Sequence, residues 1–426
     1  MSVEQTKVSE LEESIASAAA HHVDLGRLAV RVCSVPGLPL VSARVILRAG
    51  VMAEAIPGLS LVTGRMLAEG TKRRDWRQLA VDLEDRGMYP QAFGTAESLG
   101  VSLDAMSWDW GVALDSLAEM VLEPAFDEDR LAFTKRQVAA ELASLLDQPD
   151  VRTGRAFLEQ LYHPHPLGRP LQGTEGSLQA IRPEDCFDLH RRALGWGGCL
   201  TVAGDVDEDE VIAVLGEAFE GRPVVETWPE VPPILGLPET RREVAAGESE
   251  QCHLFLGHLT VPRRHPDFLA LEVAGIVLGS GGDLAGRIPR RLREQEGLAY
   301  HAGAGTVSGA GSVAGRFQIY VGTGPRRVAK AEQSAREEIE RLVDRGLEPG
   351  ELEEARSFLL GREPFRRETL RQRADAMAVA QIYGIPIDRP GWREAQIEAL
   401  TKDDVESAVR RWIRPDLLRV TVGVPK

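Results

Sequence analysis

Arg293 and Tyr300 lie seven residues apart, with Gly297 between them. A helix ending near Gly297 and followed by a strand would set a guanidinium beside a phenol at the edge of a cleft. Both groups donate hydrogen bonds, so the chemistry open to them is donation to a substrate oxygen. Spacing alone favours a plainer reading, in which Arg293 makes a surface ion pair and Tyr300 is a strand-packing aromatic. Metal chemistry has less support. His21 and His22 are adjacent near a polar terminus, where they point apart. His163 and His165 flank Pro164 in a turn, and His253 and His258 are five apart along a predicted strand, which puts them on opposite faces. No His, Cys or carboxylate cluster has the spacing of catalytic zinc. No G-x-S-x-G elbow occurs, so a Ser/His/Asp hydrolase is also unsupported.

The chain that must position such groups has 426 residues, 43% of them hydrophobic, enough for two or three domains with sizeable cores. Its formal net charge of −15 and sequence pI near 5.2 argue against a nucleic-acid binder. Cys33, Cys186, Cys199 and Cys252 are widely spaced, which fits a reducing compartment without a disulfide framework. Met1 to about Ala20 lacks the basic start and apolar run of a signal peptide, and no apolar stretch approaches the ~18 residues of a membrane span. The expectation is a cytoplasmic protein.

Pro223, Pro229, Pro232, Pro233 and Pro238 break any regular pattern and mark a semi-rigid linker over 223–240 between domains at 1–222 and 241–426. The halves repeat one order. Strands at Leu28–Cys33 and Leu40–Ala49 open the first half, and one at Gln251–Leu259 opens the second. Helices follow at Gly58–Glu69 and Trp76–Arg86, or Pro266–Leu278 and Leu284–Gln295. Strand pairs come next (Ala92–Leu103, Ala299–Val321), then long helices such as Asp127–Leu146 and Arg326–Arg345, and a strand at Leu417–Val424 closes the chain. Strands and helices in segregated blocks predict an α+β fold. Leu278–Asp283 lacks the Lys-Ser/Thr of a phosphate loop. Gly309–Ala314 precedes a strand rather than a helix, so it reads as a hairpin and not a dinucleotide fingerprint.

Four segments resemble one family in the right order. Gly58-Leu59-Ser60-Leu61-Val62-Thr63-Gly64-Arg65-Met66-Leu67-Ala68-Glu69-Gly70-Thr71 has the frame of G-L-x-H-x-x-E-H-M-L-x-x-G-T. His163 to Thr174 resembles H-P-[YF]-G-x-P-x-x-G-T, and Val202-Ala203-Gly204-Asp205-Val206 resembles V-x-G-D-[VI]. Gly286 to Tyr300 resembles R-L-x-x-x-L-R-E-x-x-G-L-A-Y. On these the chain resembles the insulinase/pitrilysin peptidases, closest in layout to short bacterial members similar to the mitochondrial processing peptidase.

The resemblance implies two homologous α+β domains forming half of a clamshell chamber. It also shows what is missing. The family's two zinc ligands and general base fall on Leu61, Gly64 and Arg65; Leu and Gly have no donor atom, and a cationic Arg repels the metal. The third-ligand position, 76 residues past Arg65, is Glu141, expected here to pair with Arg65. A metal-free first half implies a catalytically silent subunit of a heterodimer, whose partner would carry zinc and hydrolyse the peptide. In the family the pair matching Arg293 and Tyr300 contacts substrate near the scissile bond, where donors stabilise the oxyanion. A peptide would add to the active chain as an edge strand; the equivalent edge here is near Gln91–Leu103, where Gln91-Ala92-Phe93 departs from the family's N-A-x pattern. The alternative is a non-catalytic scaffold or peptide-binding protein of the same fold. An independent peptidase with unrecognised zinc would instead carry stoichiometric metal.

Overall fold

A computed structural model describes residues 21–25, 28–219, 241–280 and 286–425. The expected linker at 223–240 and the segment Met1–Ala20 lie outside the described residues. The fold is α+β, in two compact units. Counting their described residues only, the first combines Met1–Ala139, Pro170–Glu230 and Glu363–Arg393, and the second Ala140–Arg169, Val231–Arg362 and Glu394–Lys426. These units are not the two contiguous sequence halves: 140–169 and 363–393 each belong with the sheet of the other half.

In the first unit, strands β1 (His21–Leu25), β2 (Leu28–Ser34), β3 (Leu40–Arg48), β4 (Gln91–Gly94), β5 (Ser98–Met106) and β6 (Gly198–Gly204) form one sheet in the order β1-β2-β6-β3-β5-β4. β2 and β6 run parallel and the other neighbours antiparallel. Alternation along each strand assigns two faces. Val41, Ala43, Val45 and Leu47 enter the main core with Leu200 and Val202, under the helices Leu59–Met66, Trp110–Leu122 and Pro183–Trp196. Ile46, Cys199 and Ala203 point the other way and meet the helix Leu370–Tyr383. That helix presents Leu370, Ala374, Met377 and Ala378, an apolar stripe at helical spacing.

The second unit repeats the plan. Strands β7 (Arg241–Gly247), β8 (Cys252–Leu259), β9 (Ala299–Ser308), β10 (Arg316–Thr323) and β11 (Arg419–Pro425) are ordered β7-β11-β8-β10-β9. Leu254, Leu256, Ile319, Val321, Val420 and Val422 build its core with the helices Phe268–Gly275, Val328–Arg345 and Lys402–Trp412. The opposite face is covered by Pro149–Tyr162, whose Phe157 stacks on Phe255 with ring centroids 5.6 Å apart. A side chain on Gly423 would collide with Thr153 of this helix, so the glycine permits the close approach. His253 and His258 lie on opposite faces of β8: His253 Nδ1 is 3.0 Å from the Tyr320 hydroxyl, whereas His258 packs against Phe317.

Candidate functional site

The helix Leu59–Met66 carries the positions that the resemblance aligns with the family's zinc motif, and its packing shows what surrounds them. Gly58 precedes it at φ 92°, a left-handed conformation, and a Cβ there would come 2.9 Å from the Gln172 carbonyl oxygen. The buried carboxylate of Glu54 accepts from the backbone N–H groups of Gly58 (3.2 Å) and Ser60 (2.9 Å), neutralising donors that the first helical turn leaves without intrahelical partners. Sequence reasoning missed this cap, which precedes the helix and is not of the Ser/Thr/Asp/Asn type.

Leu61 is a core residue at 5% exposure. Gly64 rests on the backbone of the edge strand β4. A Cβ there would stand 2.5 Å from the Phe93 carbonyl carbon and 2.8 Å from the Gly94 nitrogen. Gly94 returns the contact, since its own Cβ would come 2.6 Å from the Leu61 Cα. Two glycines therefore bring helix and strand together at the position that the resemblance assigns to a general base. Arg65 is half-buried. These residues do not fit a zinc ion, because none offers a lone pair and one is cationic. Among the described residues no group of three or more His, Cys, Asp or Glu side chains could hold a metal. Arg65 belongs to the first unit and Glu141 to the second, and both have interactions of their own.

Arg293 and Tyr300 flank one turn of the second unit. Arg290–Gln295 is a π-helical stretch, Glu296 ends it, and Gly297 turns the chain at φ 60° into β9, an edge strand. Side chains distant in sequence clamp the turn. Arg291 bonds Glu296 at 2.7 Å and Glu338 at 2.9 Å, and also reaches Glu337. Ser334 donates to Glu296 at 2.6 Å, Arg327 to the Gly297 carbonyl at 2.7 Å, and Thr323 to the Leu298 carbonyl at 2.5 Å. Burial pushes the Glu296 carboxyl upward, but the Arg291 and Ser334 hydrogen bonds outweigh it and hold its pKa below the usual range.

Arg293 is exposed, and Tyr300 has 67% of its surface free. Neither side chain makes a hydrogen bond or ion pair among the described residues. Arg287, earlier in the same motif, differs: it is 5% exposed, bonds Glu351 through two nitrogens (2.7 and 2.6 Å), and donates to the Gly346 carbonyl at 3.0 Å.

A metallopeptidase frame without metal ligands, joined to a second unit of the same plan, defines a class of protein. The chain belongs to the insulinase family of peptidases, M16, as a member of the inactive kind. The insulinase (peptidase family M16) profile matches residues 34–175, and the peptidase M16 inactive-domain profile matches residues 199–359. A non-peptidase homologue, YmxG of Helicobacter pylori, is 25% identical over 351 residues, 81% of this chain and 79% of that protein. An uncharacterised zinc protease of Mycobacterium leprae is 29% identical over 303 residues, 70% of this chain and 66% of its own length. The crystal structure of a peptidase M16 inactive domain from Pseudomonas fluorescens superposes with a TM-score of 0.86 at 21% identity, covering 96% of this chain and 98% of that one. A Helicobacter pylori protease structure gives 0.83 at 15% identity, covering 96% and 100%. At such identities the two structures speak for the fold alone.

Proposed function

We propose that this chain is the catalytically silent subunit of a heterodimeric zinc metallopeptidase, lending Arg293 and Tyr300 to a homologous zinc-bearing partner that hydrolyses peptides. The observation that carries the reading is the contrast between two motifs. The zinc-motif helix is sealed by Gly64 against β4, whereas Arg293 and Tyr300 stand exposed and unengaged on a turn held by side-chain hydrogen bonds from Arg291, Ser334, Arg327 and Thr323. A preorganised turn suits donors that must receive charge as it develops, because no reorganisation is needed at that moment. In this reading a zinc held by the partner would supply the activated water. The guanidinium of Arg293 orients the peptide, and the phenol of Tyr300 donates to the carbonyl oxygen as it becomes anionic. A relative named as a non-peptidase homologue is consistent with a silent chain. A cytoplasmic location belongs to the same proposal, supported by four free cysteines, all buried. Among the described residues no helix is long and apolar enough to cross a membrane.

Co-expression with an H-x-x-E-H homologue tests the reading. Peptidase activity of the pair that Arg293→Ala abolishes supports it. Full activity of the partner alone, unchanged when this chain is added, returns the protein to the scaffold reading, in which Arg293 and Tyr300 are incidental.

A further inference from the structure

The connection after the zinc-motif helix carries a cationic groove of about 660 Å³ in the first unit, lined by Lys72, Arg74, Trp76, Arg77, Arg130 and Arg136 among others. Its walls are pinned. Thr71 Oγ1 accepts from the Arg74 N–H at 2.9 Å and donates to buried Glu119, and the Lys72 N–H donates to the Glu123 carbonyl at 2.8 Å. The Thr71 N–H closes the same turn onto the Arg74 carbonyl, also at 2.8 Å. The groove is therefore set in shape before any ligand arrives.

Three of its four acids are already engaged, and the exposed Asp129 is the fourth. Glu69 takes Arg130 (2.7 Å to Nε), and Asp75 and Asp127 cap helices through backbone N–H groups at 2.9 to 3.1 Å. Arg74 is held by Glu119 (2.5 Å) and Asp82 (3.1 Å). The Arg130 guanidinium lies 4.3 Å from the Trp76 ring centroid and 4.4 Å from that of Phe133. Lys72, Arg77 and Arg136 remain, exposed and without a carboxylate partner among the described residues. Three uncommitted cations in one groove stand out on a chain of net charge −15.

We propose that this groove docks an acidic segment of a partner polypeptide, its carboxylates received by Lys72, Arg77 and Arg136. Charge complementarity favours carboxylates, and guanidinium forks match their geometry. Nucleic acid fits less well. Two guanidiniums already lie against the Trp76 ring, Arg77 at 4.9 Å and Arg130 at 4.3 Å, leaving less of it for a base to stack on. The proposal does not depend on the role given to Arg293 and Tyr300.

The test is fluorescence anisotropy of a labelled glutamate-rich peptide with the full chain, at about 50 and about 200 mM salt. Expected is saturable binding that weakens with salt and falls at least about tenfold in K72E/R77E/R136E. Reversing Arg326, Lys330 and Arg345 together is the control and leaves binding unchanged. Should charge reversal disturb folding, K72Q/R77Q/R136Q reports the same loss. No saturable binding, equal loss in the control, or tighter binding of a single-stranded oligonucleotide of equal charge would overturn the proposal.

Discussion

Gly64 and Phe93 touch backbone to backbone: a single added carbon on Gly64 would lie 2.5 Å from the Phe93 carbonyl carbon. Alanine favours a helix over glycine by about 1 kcal/mol, so an open site would gain stability from Gly64→Ala. Here overpacking should win, with a net loss of about 1–3 kcal/mol in urea denaturation. A variant as stable as the parent would show that β4 yields easily. For the same reason L61H/G64E/R65H should not take up stoichiometric zinc, because a side chain at 64 pushes this helix off β4 and displaces the two imidazoles it would carry. Metal analysis of the purified triple variant decides this.

The two arginines of the second motif should separate cleanly. Arg287 is buried and doubly bonded to Glu351, so Arg287→Ala leaves a carboxylate without its counter-ion and should cost about 3–5 kcal/mol. Arg293 is exposed and unengaged, and its alanine variant should stay within about 0.5 kcal/mol of the parent. Paired thermal melts check this, and a large loss in Arg293→Ala would assign that residue a structural duty.

Tyr300→Phe removes one hydroxyl and little else, since the ring is 67% exposed. In a reconstituted pair the rate of peptide hydrolysis should fall by about 10²–10³, the usual effect of losing one oxyanion donor. An unchanged rate would take the phenol out of the mechanism.

His258 should make the second unit acid-sensitive. Burial pushes its pKa down from 6.5 to about 4, against a smaller upward effect of the Leu259 carbonyl. The Arg414 backbone N–H donates to its Nε2 at 2.9 Å, which requires the neutral ring. Between these pKa values the unfolded chain binds the extra proton, so stability is full above pH ~6.5 and is lost as pH falls towards ~4, by about 3 kcal/mol. Urea titrations between pH 7.5 and 4.5 should show a shallower loss in His258→Gln than in the parent. Parallel slopes would exonerate the histidine.

Much of this was readable in the chain. Alternating apolar residues located β2, β3, β8 and β10, and the identities at positions 61, 64 and 65 offer no metal ligand. Periodicity also marks Leu370, Ala374, Met377 and Ala378 as one helical face. It cannot say which sheet that face covers, and here it covers β3 and β6, far earlier in the chain. The close contact of Gly64 with β4 was equally hidden, because a glycine within a helix does not reveal what approaches it. The clamp on the 296–298 turn joins residues about 40 positions apart, beyond any local pattern.

The helix Leu370–Tyr383 has a consequence for how the protein is made. On the ribosome, β6 is complete once residue 204 has emerged, yet the layer that shields the apolar side formed by Ile46, Cys199 and Ala203 arrives only with residues 370–383. At bacterial or eukaryotic synthesis speeds that is a wait of roughly ten seconds or more with a greasy surface bare. A nascent or truncated polypeptide ending before residue 370 would therefore be a natural client for chaperones.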